Sequence, residues 1–582
     1  MHQNYLRSKI FYLFLVFISS SFLITANAQK FSFVVLGDSQ FENPASFEEI
    51  VKETELLHPD FVIHVGDMIH GYTYDINTAR EQWKKFKKQI SPLTMPFYPT
   101  PGNHDVTTKE IQPAYTEVWG KGRLYYSFDY KNSHFIIINA FLDQQFDTIP
   151  KAEYQWLLRD LEKTKNIKNI FISFHSPLYM NPKYDWKPLQ SILTHYNIKG
   201  IFSGHYHIYD YRLENGIPYF CINSSGNMDF NNFLAGYGHG FLYASVDSDK
   251  VNYAFVSNGK VYPPDAVSAG EFKRSPAFFN QDKTILIEDP SKHLINLTTE
   301  VPVQNRSNIR RNYTLGWETK DYRWKFSPWG ENISVGAGQT KYIKFSISGP
   351  EGKFSRDELP ELKISAPYKT LSGMETTSTY YFHLFNPPFT YAVYTKGKIN
   401  INNNDDEKLW ANVKGITRLF NGLTGKPDEE ETNIKVLYDD KKLYLKVVGS
   451  EKNTGNLSSY AYGDIPLVFA DDDFELFFDT KHDQSNFYRL MVNPKGKVLC
   501  SSPKGLFSFK FEVNTYVGRN YWSAKFKIPF SQFHIKKPKK GDIWGFNVIR
   551  HRPQSKVEQS FWSPMQYYLP YQPEYFGILK FE

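Results

Sequence analysis

The sequence predicts a multidomain protein in which an α/β unit is followed by two all-β units. At 582 residues the chain is too long for a single hydrophobic core. Its first part alternates short apolar runs with amphipathic helical stretches, whereas the remainder shows many short alternating runs and no long helical pattern. The aromatic content of 17% is also typical of β-rich structure.

The first 28 residues have the pattern of a cleaved export signal. Arg7 and Lys9 precede an apolar run from Ile10 to Ile24, and Ala26-Asn27-Ala28 forms a small-x-small cleavage site. The run is shorter than the ~20 residues that a spanning helix needs. We therefore expect residues 1–28 to be a signal peptide, with no membrane span and a mature protein that is periplasmic or secreted.

The charge balance gives no sign of a polyanionic partner. The formal net charge of +7 falls to +5 when Arg7 and Lys9 leave with the signal peptide. No polybasic tail is present, so we expect no nucleic-acid partner. Cys221 and Cys500 lie far apart in the sequence and are expected to be buried thiols rather than a disulfide.

Residues 29–258 carry the α/β pattern. Several polar residues come directly after predicted strands, which is where α/β layers place their ligands. An antiparallel pair is predicted to turn at Glu214-Asn215-Gly216. Buried strands are predicted at 31–36, 61–65, 134–141, 169–174 and 200–202, and helices at about 44–57, 75–90, 152–164 and 187–196.

The rest of the chain is predicted to form a linker and two β units. Residues 259–283 contain Pro, Gly and Ser and are predicted to be a linker. Residues 284–393 hold alternating strands, such as 312–317 and 340–345, and favour an immunoglobulin-like β-sandwich spacer. Residues 394–582 form a third unit, with strands predicted at 433–437, 443–448, 474–478, 487–492, 522–528 and 544–549.

Five short fragments carry the residue types of a metal site. Carboxylates, amide oxygens and imidazoles bind divalent metals, and two such ions ~3.5–4 Å apart form a phosphoester-cleaving arrangement. Asp67 is the natural bridge, because Gly66 lets the backbone turn sharply at a strand end. His205 and His207, two apart in an extended strand, are expected to face one cluster. The fragments are Gly37-Asp38-Ser39-Gln40, Gly66-Asp67, Gly102-Asn103-His104-Asp105, His175 and Gly204-His205-Tyr206-His207.

In these motifs, residues 30–258 resemble a calcineurin-like metallophosphoesterase. The resemblance implies a β-sandwich flanked by helices, with two divalent ions (Mn, Zn or Fe) at the strand ends. A metal-bound hydroxide would then attack a phosphate mono- or diester. The implied ligands are Asp38 and His207 for the first ion, Asp67 as the bridge, and Asn103, His175 and His205 for the second.

The resemblance also implies that His104 is a catalytic residue rather than a ligand. It would lie beside the phosphoryl group, where it stabilises developing charge and protonates the leaving oxygen. Asp105 follows it directly and is expected either to orient the imidazole or to stabilise the turn.

Gln40 departs from the family pattern, since members with an Asp-x-His motif have a histidine at this position. Glutamine coordinates through its carbonyl oxygen, more weakly than imidazole does. His70, three residues after Asp67, stands where the related purple acid phosphatases have a metal-binding tyrosine. His70 is therefore a candidate extra ligand or substrate contact, and the alternative is a surface histidine at a helix start.

Residues 394–582 resemble family 9 carbohydrate-binding modules, in stretches such as 435–440, 471–479 and 541–544. The resemblance implies an antiparallel β-sandwich that binds a polysaccharide or cell-wall glycan through exposed aromatic faces. The acidic run 471–473 is a candidate calcium site, with an acidic turn at a strand entry as the alternative. The candidate sugar-binding residues are Trp410, Trp522, Trp544 and Trp562, of which two or three are expected to be in the core.

These observations predict an exported, dinuclear metal-dependent phosphoester hydrolase that acts on glycan-linked or cell-envelope substrates. One alternative is a phosphomonoesterase or nucleotidase of the purple acid type. The other is a glycan-binding protein whose phosphoesterase domain is degenerate.

Overall fold

The computed structural model describes residues 30–582 apart from short segments, so the predicted signal peptide lies outside the described residues. The chain divides into two compact units, Met1–Gly71 with Ala79–Ala269, and Tyr72–Thr78 with Gly270–Glu582. The segments that are not described are 41–43, 142–147, 182–183, 227–232, 234–235, 269–281, 289–290, 356–357, 371–372, 403–406, 422–424, 462–467, 504, 554–558, 564 and 566–571.

The first unit is built on two sheets. Its strands within the described residues are β1 (Lys30–Leu36), β2 (Phe61–His64), β3 (Phe97–Pro99), β4 (Tyr126–Tyr130), β5 (Ser133–Ile138), β6 (Asn169–Phe174), β7 (Ile198–Ser203), β8 (Asp210–Glu214), β9 (Ile217–Cys221), β10 (Gly240–Asp247), β11 (Lys250–Ser257) and β12 (Lys260–Tyr262). One sheet has the order β12-β11-β10-β1-β2-β3, and the other has the order β4-β5-β6-β7-β9-β8. The first sheet thus extends to Tyr262, inside the stretch predicted as linker.

The strands that precede the five fragments run parallel within each sheet. β1 pairs in parallel with β2, and β2 with β3. In the other sheet β5, β6, β7 and β9 are also parallel neighbours. Because parallel strands end at the same edge of a sheet, the loops after them are brought together there.

Aromatic side chains fill the core between these sheets. Phe33 and Phe61 stack with ring centroids 5.3 Å apart, and Phe135 stacks on Phe171 at 4.7 Å. All four rings belong to one cluster of buried residues. The high aromatic content noted in the sequence is therefore used, in part, to build this core.

The predicted helices are confirmed, and one short helix was not predicted. The helix over 44–57 buries Phe47, Ile50, Val51 and Thr54, which share one face at a spacing of three to four residues. The helices described between residues 44 and 193 are α1 (Pro44–Leu57), α2 (Ile76–Gln89), α3 (Gln112–Trp119), α4 (Lys151–Lys163) and α5 (Lys187–Leu193).

The second unit begins with a β-sandwich. Its strands are β13 (Lys283–Leu286), β14 (Ile295–Gln304), β15 (Arg311–Glu318), β16 (Lys325–Ser327), β17 (Gly330–Val335), β18 (Thr340–Gly349), β19 (Glu361–Lys369) and β20 (Glu375–Phe385). They form a sheet of order β13-β20-β19-β15-β17 and a smaller sheet of order β14-β18-β16. Trp317, Phe345 and Leu362 lie in the buried cluster that these strands share.

A large sheet system, antiparallel except that one strand pairs in parallel with both of its neighbours, makes up the rest of the second unit. A short helix α6 (Glu407–Ala411) precedes most of its strands. The strands are β21 (Phe389–Tyr394), β22 (Phe420–Asn421), β23 (Thr432–Tyr438), β24 (Lys442–Ser450), β25 (Asp473–Asp479), β26 (Tyr488–Val492), β27 (Val498–Ser502), β28 (Gly505–Leu506), β29 (Glu512–Val517), β30 (Tyr521–Pro529), β31 (Ile543–His551), β32 (Gln559–Phe561) and β33 (Gly577–Phe581). Their order is β28-β27-β26-β25-β31-β33-β21-β23-β24-β30-β29, with β22 and β32 paired beside it.

The four tryptophans proposed for sugar binding are all buried, so that prediction is wrong. Trp410, Trp522, Trp544 and Trp562 are between 0% and 5% exposed. Trp522, for example, stacks on Phe474 at 3.8 Å inside the main core of this sheet system. The structure thus uses all four rings for packing, and none presents a face to a pyranose.

The acidic run at 471–473 lies at the entry to β25, and the calcium site there stays a prediction. The carboxylate of Asp471 accepts hydrogen bonds from the backbone N–H groups of Tyr460 and Ala461, and that of Asp472 accepts one from Ser458. Among the described residues, no group of three or more closely spaced potential ligands includes this run. Cys221 and Cys500 are buried free thiols, as predicted.

Candidate metal centre

The five fragments converge on two overlapping groups of metal-ligating side chains. Asp67, His175 and His205 form one group, and Asp38, Asp67 and His207 form the other. Within each group the potential ligand atoms lie within 4.8 Å of one another. We name these the His175 group and the Asp38 group. Asp67 belongs to both, as expected for a bridging ligand, while the role of each residue as a ligand stays a prediction.

The two carboxylate oxygens of Asp67 make different contacts. Its Oδ1 accepts a hydrogen bond from the backbone N–H of His104 at 2.9 Å. Its Oδ2 lies 2.9 Å from His175 Nε2 and 3.0 Å from Gln40 Nε2. One oxygen is therefore anchored to the protein, and the other is the oxygen that the neighbouring ligand residues approach.

The donor atoms of the His175 group are of the kinds that bind a divalent metal ion. His175 Nδ1 lies 2.8 Å from the carbonyl oxygen of Val65 and donates to it, which leaves Nε2 as the lone-pair nitrogen of the neutral ring. That Nε2 is buried and lies 2.9 Å from Asp67 Oδ2. His205 Nδ1 lies 2.8 Å from Asn103 Oδ1. A buried imidazole nitrogen that faces a carboxylate, with a second imidazole and an amide oxygen beside it, fits a divalent ion.

The Asp38 group has fewer nitrogen donors. His207 Nε2 lies 3.2 Å from Asp38 Oδ1, and Asp38 is fully buried. The backbone N–H of His205 approaches both oxygens of Asp38, at 3.1 and 3.2 Å. This hydrogen bond links the fragment after β1 to the fragment after β7, so each fragment positions the other.

Four of the predicted ligands have left-handed backbone conformations, which are uncommon for residues other than glycine. The φ angles are 51° at Asp38, 60° at Asp67, 70° at His205 and 56° at His207. The expectation that an extended strand aligns His205 and His207 is therefore wrong, since both lie in a loop after β7. Such strain persists only where the surroundings enforce it, and it concentrates at functional sites.

Three motif glycines are required because ligand side chains pass directly over them. A Cβ atom at Gly66, which has a φ of 109°, would collide with the ring of His175. A Cβ at Gly102 would collide with the carboxylate of Asp67, and one at Gly204 with that of Asp38. Gly66, Gly102 and Gly204 thus each provide space for a ligand from another fragment.

Opposite charges dominate the electrostatics of the cluster. Burial opposes protonation of His175, but the carboxylates of Asp67 and Asp38 outweigh it and raise its pKa to about 9. Burial likewise opposes ionisation of Asp67, yet His175, His104 and His205 hold its pKa well below the usual range. The same negative potential that favours a proton here would favour a divalent cation.

Asp105 does not orient His104, so that alternative is wrong and the turn-stabilising one is confirmed. Its two oxygens accept hydrogen bonds from the backbone N–H groups of Gly102, Asp67, Met68 and Ile69. These bonds hold the Asp105 carboxylate against the loop that carries Asp67. Burial and the Asp67 carboxylate raise the pKa of Asp105 to about 7, against the effect of the backbone donors.

His104 is held instead by the backbone of His70. Its Nδ1 lies 2.5 Å from the carbonyl oxygen of His70, so Nδ1 carries a proton and donates it. Burial lowers the pKa of His104 to about 4, although Asp67 opposes this shift. The ring is therefore neutral at neutral pH, and its Nε2 lies 3.8 Å from Asp67 Oδ2.

His70 is a member of neither ligand group, whereas Gln40 contacts the shared Asp67. His70 contributes its carbonyl oxygen to His104, and its ring centroid lies 6.1 Å from that of His104. Gln40 directs its amide N–H at Asp67. That one of them supplies an extra metal ligand stays a prediction.

A supporting histidine, His64, was not predicted from the sequence. It lies at the end of β2 and is fully buried. Its Nδ1 accepts from the backbone N–H of Gly66, and its Nε2 lies 3.0 Å from Ser39 Oγ. Burial lowers its pKa to about 3, with a further contribution from His175. A neutral His64 thus ties the Asp38 fragment to the Asp67 fragment.

Comparison with known families agrees with this geometry. The family model described as calcineurin-like phosphoesterase matches residues 31–209. The first unit has the calcineurin-like phosphoesterase fold. The model described as carbohydrate family 9 binding domain-like matches residues 401–565, which fall within the sheet system of the second unit.

Curated relatives match the phosphoesterase part of the chain at low identity. Purple acid phosphatase 22 of Arabidopsis thaliana is 28% identical over 175 residues, which are 26% of this chain and 38% of that protein. Acid phosphatase type 7 of Danio rerio is 24% identical over 226 residues, 32% of this chain and 50% of the relative. The chain spans half or less of these relatives' length.

Solved structures show similarity at low overall scores. A family 9 carbohydrate-binding module from Caldicellulosiruptor kristjanssonii in complex with cellotriose is 19% identical, with a TM-score of 0.27, and covers 33% of this chain and 93% of that one. A dimetal phosphatase from Danio rerio is 12% identical, with a TM-score of 0.32, and covers 40% of this chain and 98% of that one.

Proposed function

We propose that this protein is an exported, dinuclear metal-dependent phosphoesterase that acts on phosphoesters attached to glycans or to the cell envelope. The observation that carries the hydrolase assignment is the sharing of Asp67 between the two ligand groups. A lone buried carboxylate is commonly structural, but one carboxylate flanked by two sets of imidazoles matches the demands of a two-ion site.

Divalent ions bound by these groups would activate water as the nucleophile and neutralise the charge of the phosphoryl oxygens. Asp38 and His207 would hold one ion, and Asn103, His175 and His205 the other, with Asp67 between them. Asp105 keeps the Asp67 loop in its left-handed conformation. His64 holds the same loop from the other side.

His104 is the residue that we assign to the substrate. In its neutral form Nδ1 donates to His70, so Nε2 is an acceptor. An arriving anionic phosphoryl group favours the protonated ring, because an opposite charge nearby raises the pKa of a histidine. Both ring nitrogens then donate hydrogen bonds, Nδ1 to the His70 carbonyl and Nε2 to the substrate. The leaving oxygen can take its proton from Nε2.

The proposed export and the proposed glycan-linked substrate are supported by other parts of the chain. The basic, apolar and small-residue pattern of residues 1–28 supports export. The match of residues 401–565 supports carbohydrate binding. A module that binds a glycan would keep the hydrolase close to phosphoesters on the same polymer, which is the basis for the proposed substrate context. None of the helices in the described part of the chain is long and apolar enough to cross a membrane.

The activity test uses the purified chain with added Mn²⁺, Zn²⁺ or Fe²⁺ and aryl phosphate mono- and diesters. We expect turnover that requires metal, and a loss of about 10²–10⁴-fold in kcat for His104→Asn with unchanged metal content. The exposed His195→Gln serves as the matched control and should behave as wild type. No metal-dependent turnover in wild type, with the Asp67→Asn variant indistinguishable from it, would favour the degenerate glycan-binding protein instead.

A further inference from the structure

Four segments of the second unit that are distant in sequence meet at one end of its large sheet system. The hydroxyl of Tyr394 donates to Asp440 Oδ1 at 3.0 Å, and the ammonium of Lys537 lies 2.5 Å from the same oxygen. The backbone N–H of Gly541 donates to the carbonyl of Phe581 at 2.7 Å. The segments that these contacts join are 394–396, 439–442, 536–542 and 580–582.

These segments hold most of the net charge of the chain. They contain eight lysines, no arginine and four acidic residues, which gives a formal net charge of +4. The whole chain without residues 1–28 has a formal net charge of +5. The positive charge is therefore concentrated in one place, although it is small when it is averaged over the whole chain.

Three of the four acidic side chains are engaged within the segments themselves. Asp439 accepts hydrogen bonds from the backbone N–H groups of residues 441 and 442, and Asp542 accepts one from that of Lys539. Asp440 pairs with Lys537. Five further lysines of these segments are exposed and, within the described part of the chain, form no ion pair. We name them the basic patch: Lys396, Lys441, Lys536, Lys539 and Lys540.

The backbone that carries most of the basic patch is held in place. Pro538 is buried between the exposed Lys537 and Lys539. The turn that follows is closed by the backbone N–H of Asp542, which donates to the carbonyl of Lys539 at 3.0 Å. Gly541 has a φ of 94°, which favours glycine. A fixed backbone lowers the conformational entropy that is lost when a ligand binds.

Clustered lysines without arginine fit a repeating anion better than a single one. An ammonium binds phosphate as a point charge, whereas the guanidinium of arginine provides bidentate geometry. A polymer with anions at intervals contacts several ammonium groups at once and releases its counterions. The carbohydrate-binding match of residues 401–565 includes two of the four segments, which favours a glycan over a nucleic acid or a lipid surface.

We propose that the basic patch binds an anionic, phosphate-bearing glycan. This inference rests on the proposed function, which places a phosphoester on the glycan. The second unit then recognises the charge of the polymer, separately from any stacking of aromatic rings on its sugars. The net charge of the whole chain did not indicate such a partner, because the lysines come from segments that only the fold brings together.

Binding to two forms of one polymer tests this directly. The full chain, kept in EDTA to prevent hydrolysis, is titrated onto an immobilised mannan that carries phosphodiester groups and onto the same mannan without them. We expect wild type to bind the phosphorylated form about tenfold more tightly at ~50 mM NaCl. Replacing Lys536, Lys539 and Lys540 together by glutamine should weaken this binding about tenfold and lower the slope of log Kd against log salt by about two.

A matched triple variant separates the basic patch from charge in general. Replacing Lys325, Lys341 and Lys344 by glutamine removes the same charge from exposed positions of the spacer, and it should leave binding within about twofold of wild type. Arginine at the three patch positions keeps the charge and should preserve binding, which excludes a folding defect at these positions.

Three results would overturn the inference. The first is equal binding of wild type to the two mannans. The second is a loss in the spacer variant as large as the loss in the patch variant. The third is tighter binding of wild type to double-stranded DNA or to phosphatidylglycerol vesicles than to the phosphorylated mannan, which would assign the basic patch to another kind of partner.

Aryl phosphate turnover of the same samples with Mn²⁺ separates this inference from the proposed function. The patch variant should turn over aryl phosphates as wild type does, because none of its lysines belongs to the metal centre. Turnover without preference for the phosphorylated mannan keeps the hydrolase assignment and overturns this inference. Binding that depends on the basic patch, without turnover in any metal, supports this inference and removes the hydrolase assignment.

Discussion

Asp105 shows how one residue can be indispensable without touching the reacting atoms. Its neighbours in sequence suggested a partner for His104, but its oxygens accept four backbone N–H groups from the loops of Asp67 and Gly102. Those loops carry the left-handed Asp67 and the glycine beneath its carboxylate. Asp105 is therefore a positioning residue, whose effect on the metal site passes through Asp67.

Substitution of Asp105 by asparagine should destabilise the first unit and weaken metal binding together. An asparagine NH₂ group cannot accept from the backbone N–H groups, so buried donors are left unpaired at a cost of about 3 kcal/mol. The measurement is the free energy of unfolding in urea, together with manganese content after dialysis. Asp249→Asn, at an exposed turn, is the control. Wild-type stability and metal content in the Asp105 variant would contradict this role.

At the residue scale, the sequence indicated which side chains meet but not how they are held. The types and order of the ligand residues carry the chemistry, so Asp38, Asp67, His175, His205 and His207 could be predicted. The direction of the Gln40 amide and the carbonyl that holds His104 depend on backbone placed by distant residues. No local pattern encodes such contacts, and His64 was missed for the same reason.

At the element scale, strands and helices followed the sequence pattern closely because one face of each is buried. β15 and β18, for example, alternate buried and exposed residues. The loops after the strands were less predictable, since His205 and His207 have positive φ angles rather than extended ones. A burial pattern fixes the period of an element, but not the turn that follows it.

His383 provides a pH test of the β19–β20 pair. Its Nδ1 lies 3.1 Å from Glu361 and its Nε2 3.5 Å from Asp282. Burial opposes protonation, but these carboxylates outweigh it and raise the pKa to about 9. A histidine with a raised pKa stabilises the fold while it is protonated. The contribution, about 2 kcal/mol, is therefore full below pH ~6.5 and lost as the pH rises through about 9.

The measurement is the stability of β19 and β20 toward urea at pH 6 and pH 10, followed by hydrogen exchange of their peptides. His383→Gln should be less stable than wild type at pH 6, and the difference should vanish at pH 10. His293→Gln, at an exposed position of the same sandwich, is the control. A constant difference between wild type and His383→Gln across this range would rule out the ion-pair account.

At the scale of the whole molecule, a metal site and a carbohydrate-binding-like module lie on one chain, each with its own core. The division into an α/β unit and β units could be read from periodicity, because strands of a two-sided sheet and of a sandwich differ in pattern. The role of each tryptophan could not be predicted from the sequence. A ring that packs in a core and a ring that stacks on sugar look the same in sequence.

With the four tryptophans buried, exposed tyrosines become the candidates for glycan contact. Tyr516 and Tyr521, at the edge formed by β29 and β30, are 60% and 39% exposed, with ring centroids 6.0 Å apart. If the chain binds a soluble polysaccharide in affinity electrophoresis, the double alanine variant should bind about tenfold more weakly. Tyr342→Ala, in the spacer, is an equally exposed control. Unchanged retardation of the double variant would place the glycan elsewhere.

The most direct test of the two-ion site is anomalous diffraction from crystals of the full chain grown with Mn²⁺. The geometry predicts two anomalous peaks within coordination distance of Asp67. One should contact His175 and His205, and the other Asp38 and His207. A single ion that does not contact Asp67, or no ion among these residues at saturating metal, would contradict the account.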